Sequence, residues 1–140
     1  MLSPENRLRA SRRFDETTRN GWKKGSRTVV VYVCPGPTGI AGLGVQLIGD
    51  RNVRVGLIVS KAVGNAVARH RVSRRIRHIM AIYLKELGPR AQPEGWIPQG
   101  SAVVIRALPA AASASSEKLA ADIRNCLSRI ERGRRLRRRD

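Results

Sequence analysis

The spacing of apolar residues along the chain predicts several strands. β-Branched and other apolar residues recur at every second position, or run without a break, at 28–34, 53–60 and 101–108. A shorter run at 45–48 is predicted to extend a further strand before a turn at Gly49-Asp50. In the first of these strands, the odd-numbered valines point to one side of the sheet and Val30, Tyr32 and Cys34 to the other.

Glycine and proline residues separate these strands from three predicted helices. Ser11 can cap a first helix that ends near Asn20, because Gly21 follows. Lys61 opens a basic stretch that leads into a second helix, and a third helix follows the small residues at 109–116. Residues 22–25 are predicted to be a basic connection, and 36–44 and 88–100 are predicted to be loops.

The order of elements predicts a small α/β protein. It reads α-β-β(-β)-α-β-α, which is typical of an α+β two-layer sandwich with three helices on a central sheet. We assign residues 1–132 to a single domain and expect Gly133 to end the last helix. Five arginines in residues 134–139 predict that 133–140 is a disordered basic tail.

The second helix has two chemically different faces. At 100° per residue, its apolar side holds Val72, Ile76, Ile79, Met80, Tyr83 and Leu87. Its opposite side holds Arg71, Arg74, Arg75, His78 and Lys85. No acidic residue occurs between Asp50 and Glu86, so the helix forgoes the pairs of opposite charge that usually stabilise a solvated face. A polyanion that neutralises this repulsion accounts for the pattern better than a solvent-exposed face does.

Composition points to the same kind of partner. The chain has 28 basic and 10 acidic residues, a formal net charge of +18, which favours nucleic acid. No apolar segment is long enough to span a membrane, and no signal peptide is expected. Cys34 and Cys126 lie in apolar patterns and are expected to be reduced core thiols of a cytoplasmic protein.

The residues do not predict catalysis by protein side chains. His70 and His78 are separated by about two helical turns, and the acidic residues are scattered apart from Asp15-Glu16, so no acid/base pair or metal-ligand cluster is expected. The Gly64-Asn65 junction can present free N–H groups to a phosphate, but it lacks the spacing of a nucleotide-binding loop.

A sequence signature at the start of the second helix resembles that of the bacterial ribonuclease P protein family. The matching residues are Ser60-Lys61, Gly64-Asn65-Ala66-Val67, Arg69-His70-Arg71-Val72 and Arg74. His70 stands where the family usually has Asn, and Ser73 where it usually has Lys. The resemblance extends from about Arg7 to about Arg132.

The resemblance implies a fold and a function. The family's crossover through the basic helix is left-handed, its RNA subunit and bound Mg2+ perform the hydrolysis, and its protein binds the catalytic RNA and the 5′ leader of precursor tRNA. No membrane and no protein partner are implied. The residues implied to bind RNA are Lys61, Gly64, Asn65, Arg69, His70, Arg71, Arg74, Arg75 and Arg77, of which Arg75 is apolar in many relatives. Phe14 and Tyr32 are implied to line the leader cleft, whereas Thr18 stands where a second aromatic residue is common.

Two other classes of function remain open on the sequence. A structural ribosomal protein would have a similar composition. Only the signature from Lys61 to Arg77, beside a possible leader cleft, favours a ribonuclease P protein over it. A free-standing nuclease or a DNA-binding protein is disfavoured, since neither a catalytic constellation nor a DNA-reading motif is present.

Overall fold

The structure of the protein is a computed structural model that describes residues 7–8, 11–34, 53–87 and 101–138. Within these ranges the chain forms three helices and four strands. The helices are α1 (Ser11–Asn20), α2 (Ala66–Leu87) and α3 (Ser116–Arg138), and the strands are β1 (Trp22–Gly25), β2 (Val29–Cys34), β3 (Arg54–Ile58) and β4 (Ala102–Ala107). A short 3-10 helix at Pro109–Ala112 precedes α3. The mixed α/β fold class, the first helix and the three main strands were correctly predicted from the sequence.

The four strands form one sheet in the order β1-β2-β4-β3. β2 pairs antiparallel with β1 and with β4, whereas β3 and β4 are parallel neighbours. The register places Tyr32 between Lys23 of β1 and Val104 of β4. Beyond β3, Leu8 donates its N–H to the carbonyl of Val55 at 2.9 Å, so the N-terminal segment lies along that edge.

The connection from β3 through α2 to β4 is left-handed. In a strand of L-residues that runs upward, a residue whose side chain points at the viewer turns its N–H and C=O to the right. The N–H of Arg54 bonds to Ser101 at the start of β4, and Gly56, on the same side of β3, faces Phe14 of α1. With β3 running upward and viewed from α1, β4 therefore lies to the right of β3. Because α2 covers the opposite face of the sheet, β4 lies to the left of β3 when it is viewed from α2. In a right-handed crossover viewed from its helix, the second strand would lie to the right.

Apolar residues cover both faces of the sheet. α2 and α3 pack on one face, where Ile76, Met80, Ile123 and Leu127 are fully buried. α1 packs on the other face over a smaller cluster. The five described members of the predicted apolar stripe of α2 are buried, which confirms how this helix is oriented; the side chain of Leu87 lies outside the described residues.

Two predictions about local structure were wrong. Residues 22–25 are the edge strand β1, not a connection, because the backbone of Trp22–Gly25 pairs with β2 although only Trp22 is strongly apolar. Gly133 does not end α3, which continues to Arg138, and a Cβ built on Gly133 would lie 3.5 Å from the Trp22 ring. The predicted strand at 45–48 and the loops at 36–44 and 88–100 lie outside the described residues, and the domain boundary after residue 132 stays a prediction.

Candidate RNA interface

The junction between β3 and α2 is a capped helix start with an exposed lysine. Asn65 accepts a hydrogen bond from the Ala68 N–H through its Oδ1 at 2.9 Å, and its own carbonyl accepts from the Arg69 N–H at 2.9 Å. It is therefore the N-cap residue of α2. The N–H groups of Ala66 and Val67, in the first helical turn, have no carbonyl partner within the helix. Lys61 lies exposed in the preceding turn.

Gly64 is required by the backbone at this junction. Its φ is +152°, and a Cβ there would come within 2.9 Å of the Ala68 side chain. Only glycine adopts such a conformation without strain. The glycine therefore sets the direction in which α2 starts, and with it the direction of the arginines that follow.

The outer face of α2 is cationic and open to solvent. Its exposed residues, which at 100° per residue fall within about 100° of the helix surface, include His70, Arg71, Arg74, His78 and Lys85. The structure thus brings together the central residues of the predicted interface on one continuous face of the helix. We call these five residues the α2 basic face.

Three of the predicted arginines lie outside the α2 basic face and are half-buried. Arg69 is half-buried near the helix start, and its Nε is a buried donor with no hydrogen-bond partner among the described residues. Arg77 is half-buried on one side. Arg75 is half-buried on the other side and donates from Nη1 to the Ala114 carbonyl at 3.0 Å, which ties α2 to the start of α3.

The two predicted leader residues lie in one small cluster between α1 and the sheet. Phe14 is half-buried over Gly56, where a Cβ would clash with its ring. Tyr32 is only 4% exposed and packs with Leu8, Ala102 and Val104. The structure therefore brings them to the same face, with Phe14 more accessible than Tyr32. Thr18, in contrast, donates its hydroxyl proton to the Asp15 carbonyl of its own helix at 3.1 Å.

Sequence reasoning missed two cations on this face. The Lys23 ammonium and the Arg106 guanidinium each lie 5.8 Å from the centre of the Tyr32 ring, and both residues are exposed. Such distances allow attraction between each cation and the ring. Only the strand register shows that these side chains flank Tyr32, since Lys23 belongs to a strand that the hydrophobic pattern does not reveal.

Comparisons with known proteins identify the family. The model of the family described as Ribonuclease P matches residues 2–131. The chain belongs to the ribonuclease P protein family. The ribonuclease P protein component of Corynebacterium urealyticum is 47% identical over 135 residues, covering 94% of this chain and all of the relative.

Solved structures of ribonuclease P proteins have the same fold. A mutant RNase P protein from Staphylococcus aureus superposes with a TM-score of 0.66 at 20% identity, covering 88% of this chain and 86% of that one. The RNase P protein from Thermotoga maritima gives a TM-score of 0.61 at 20% identity, covering 88% and 96%. This ribonuclease P protein therefore acts in tRNA 5′ processing as part of a ribonuclease holoenzyme and has ribonuclease P RNA as its partner, which decides against the ribosomal alternative.

The remaining chemistry of this ribonuclease P protein is sparse. Among the described residues, no group of three His, Cys, Asp or Glu side chains is placed to hold a metal ion. Cys126 is buried and Cys34 is half-buried, and no disulfide bond joins them in the described part of the chain. Burial raises the pKa of the Tyr83 hydroxyl, while the nearby Arg124 opposes that rise. No helix in the described ranges has the length and apolar character needed to cross a membrane.

Proposed function

We propose that the α2 basic face binds phosphates of the ribonuclease P RNA and that this RNA, together with bound Mg2+, carries the hydrolysis of precursor tRNA. The observation that carries the proposal is the α2 basic face itself, a set of exposed basic side chains on a helix whose opposite side is buried. Arginine suits this task because its planar guanidinium can donate two hydrogen bonds to one phosphate.

The start of α2 adds a second kind of phosphate contact. The helix N-terminus carries partial positive charge and free N–H donors, and Lys61 lies beside it. Because Asn65 already uses its Oδ1 to cap the Ala68 N–H, its side-chain amide remains available as a donor to a phosphate. A phosphate at this position would be held by backbone, amide and lysine together, and Arg69 lies one turn further along the helix.

The protein supplies no acid/base chemistry in this account. Mg2+ held by the RNA and the substrate would stabilise charge that develops at the scissile phosphate. The side chains of the protein neutralise and position phosphates, which lowers the Mg2+ concentration that the RNA needs. The assembly would act in the cytoplasm on precursor tRNA.

The leader of precursor tRNA is proposed to pass over the α1 side of the sheet. Phe14 provides a half-exposed ring for a base, and Tyr32 forms the floor beneath it, since so little of Tyr32 is exposed. Lys23 and Arg106 lie on either side of that floor and can bind successive phosphates of a single strand. This arrangement contacts the leader mainly through phosphates and gives little discrimination among bases.

The experiment that tests the leader site compares precursor tRNA with mature tRNA. In the reconstituted holoenzyme, replacing Lys23 and Arg106 by Gln should weaken binding of precursor tRNA and lower the slope of log K against log salt by about 1.4, at about 0.7 per single-strand contact. Binding of mature tRNA, which has no leader, should not change. The variant Tyr32→Phe, which retains the ring, serves as a control and should behave as the parent. Equal losses for both tRNAs would remove these two residues from the leader site.

A further inference from the structure

The C-terminal half of α3 lies along β1, at the edge of the sheet away from β3. Arg129 donates from Nη2 to the Gly25 carbonyl, which ties the helix to the end of β1. One turn later, Gly133 lies against the Trp22 ring. These two contacts fix how the helix runs along the strand.

Cations surround this junction. Lys24 adjoins Gly25, Arg27 lies two residues beyond it, and Arg132 adjoins Gly133, so each lies within two residues of an observed contact. All three are exposed. Together with Arg129 we call them the β1–α3 surface.

The β1 side of this surface contributes no acidic residue, and Asp122 of α3, which accepts a hydrogen bond from Thr28, is buried and paired with Lys118. The sequence contains no acidic residue from Thr17 to Gly49. Glu131 is the acid nearest in sequence within α3, but it faces α2. It follows Arg124 by about two helical turns and so lies on the same side of α3 as Arg124, whose guanidinium is 5.4 Å from the centre of the Tyr83 ring of α2. The two flanks of α3 therefore differ in charge.

We infer that the β1–α3 surface is a second RNA-binding surface, which takes the phosphate backbone of a double-helical segment. Three strand spacings separate β1 from β3, about 14 Å, so this surface is distinct from the start of α2. Trp22 packs against the core, and the surface presents no aromatic ring for stacking, so phosphates of a duplex fit it better than unpaired bases do. The inference rests on the proposed function, because it assigns the duplex to the ribonuclease P RNA.

The test uses charge-matched variants of the full chain. One carries Lys24→Gln and Arg132→Gln. The control carries Arg19→Gln and Arg124→Gln, two exposed arginines of α1 and α3 that belong neither to this surface nor to the α2 basic face. For a 20-base-pair RNA duplex and for ribonuclease P RNA, the first variant should lower the salt slope by about 1.4 to 1.8, at 0.7 to 0.9 per contact, and the control should lower it by less than half as much. Hydroxyl-radical footprints on ribonuclease P RNA should lose protection in a helix other than the one affected by Arg71→Gln.

Several outcomes would overturn the inference. Equal slopes for the two variants would reduce the surface to a contribution of net charge. Loss of protection in the same RNA segment as Arg71→Gln would merge it with the α2 basic face. If the first variant instead lost binding to vesicles of anionic lipid while RNA binding was unchanged, the surface would be a membrane contact. The proposed function is tested separately, by cleavage of precursor tRNA in the holoenzyme with the parent protein. Failure of the second RNA-binding surface would therefore leave the proposed function unchanged.

Discussion

Two neighbouring arginines on α2 have different environments. Arg74 is exposed on the α2 basic face, whereas Arg75 is half-buried and donates to the Ala114 carbonyl at 3.0 Å. The sequence shows only that both are cations in a basic helix. Only the tertiary packing shows which flank of α2 faces α3 and that the Ala114 carbonyl lies within hydrogen-bonding distance of Arg75. The structure therefore shows a contact of Arg75 within the fold, while its role in RNA binding, which the family resemblance implies, stays a prediction.

Exchanging these two arginines for glutamine should separate stability from RNA binding. Arg75→Gln should lower the free energy of unfolding by about 1 kcal/mol, because a charge-assisted hydrogen bond is lost from a partly buried site, and should leave the salt slope for RNA unchanged. Arg74→Gln should do the reverse and lower the slope by about 0.7 to 0.9. Urea unfolding and RNA titrations at several salt concentrations measure both. A lowered slope with unchanged stability for Arg75→Gln would return that residue to the interface.

Asp122 is a buried carboxylate that links α3 to the start of β2. It accepts a hydrogen bond from the Thr28 hydroxyl at 2.6 Å, and its Oδ1 lies 3.0 Å from the Lys118 Nζ, with which it forms an ion pair. Burial, the largest single influence, opposes ionisation, but the hydrogen bonds and the lysine charge together outweigh it, so the pKa lies below the ordinary 3.8. A lowered pKa in the folded state stabilises the fold above pH 3.8, and this contribution is lost as the pH falls toward the folded-state value.

The variant Asp122→Asn tests this linkage. At pH 7 it should be less stable than the parent by about 1 kcal/mol, since the ion pair and one charged acceptor are lost. Between pH 4 and pH 2 the difference should shrink, because the parent loses its advantage as Asp122 becomes protonated. Urea unfolding at pH 7, 4, 3 and 2 measures the difference. A gap that stays constant over this range would show that the carboxylate is not what stabilises the contact.

At the level of elements, the start of α2 combines a structural cap with a candidate phosphate site. Asn65 caps the helix through its Oδ1, and Gly64 adopts a backbone conformation that other residues avoid. The sequence shows a Gly-Asn pair before a predicted helix. It does not show the geometry of the cap, because that geometry depends on the direction of the turn after β3.

Two substitutions at residue 65 should separate the cap from the phosphate contact. Asn65→Ala removes the capping oxygen and should cost about 1 kcal/mol of stability. Asn65→Asp retains an oxygen that caps and should preserve stability, but its negative charge should repel a phosphate and weaken RNA binding several-fold. Thermal unfolding and RNA titration distinguish the two effects. If Asn65→Asp bound RNA as the parent does, no phosphate would lie at the helix start.

The ends of elements were the hardest to predict. β1 has four residues, two of them lysine, and as an edge strand it is held by backbone hydrogen bonds to β2 rather than by an apolar pattern. Within α3, Gly133 costs about 1 kcal/mol relative to alanine, which favours termination there. Arginines on both sides and packing against Trp22 instead support a longer helix. Local preference was overridden by tertiary contact in both places.

For the whole molecule, hydrophobic periodicity was sufficient to predict which helix and strand faces are buried, but not which side chains from different elements lie in contact. The buried side of α2 was predictable because Val72, Ile76 and Met80 follow a helical period and must face a core. The cations beside Tyr32 were not, because they come from two strands whose register no local pattern encodes. The low exposure of Tyr32 was equally hidden, since it depends on how α1 and Leu8 cover the sheet.

The claim that the RNA cleaves and the α2 basic face holds it is tested most directly by reconstitution. Purified protein freed of RNA, a bacterial ribonuclease P RNA and precursor tRNA are combined at low Mg2+, and cleavage at the mature 5′ end is measured for the parent and for Arg71→Gln with Arg74→Gln. We expect no cleavage by protein alone, efficient cleavage by the complete mixture, and a loss in the double variant that added Mg2+ or excess protein restores. Cleavage at the mature 5′ end by the protein without RNA, or full activity of the double variant at low Mg2+, would contradict the account.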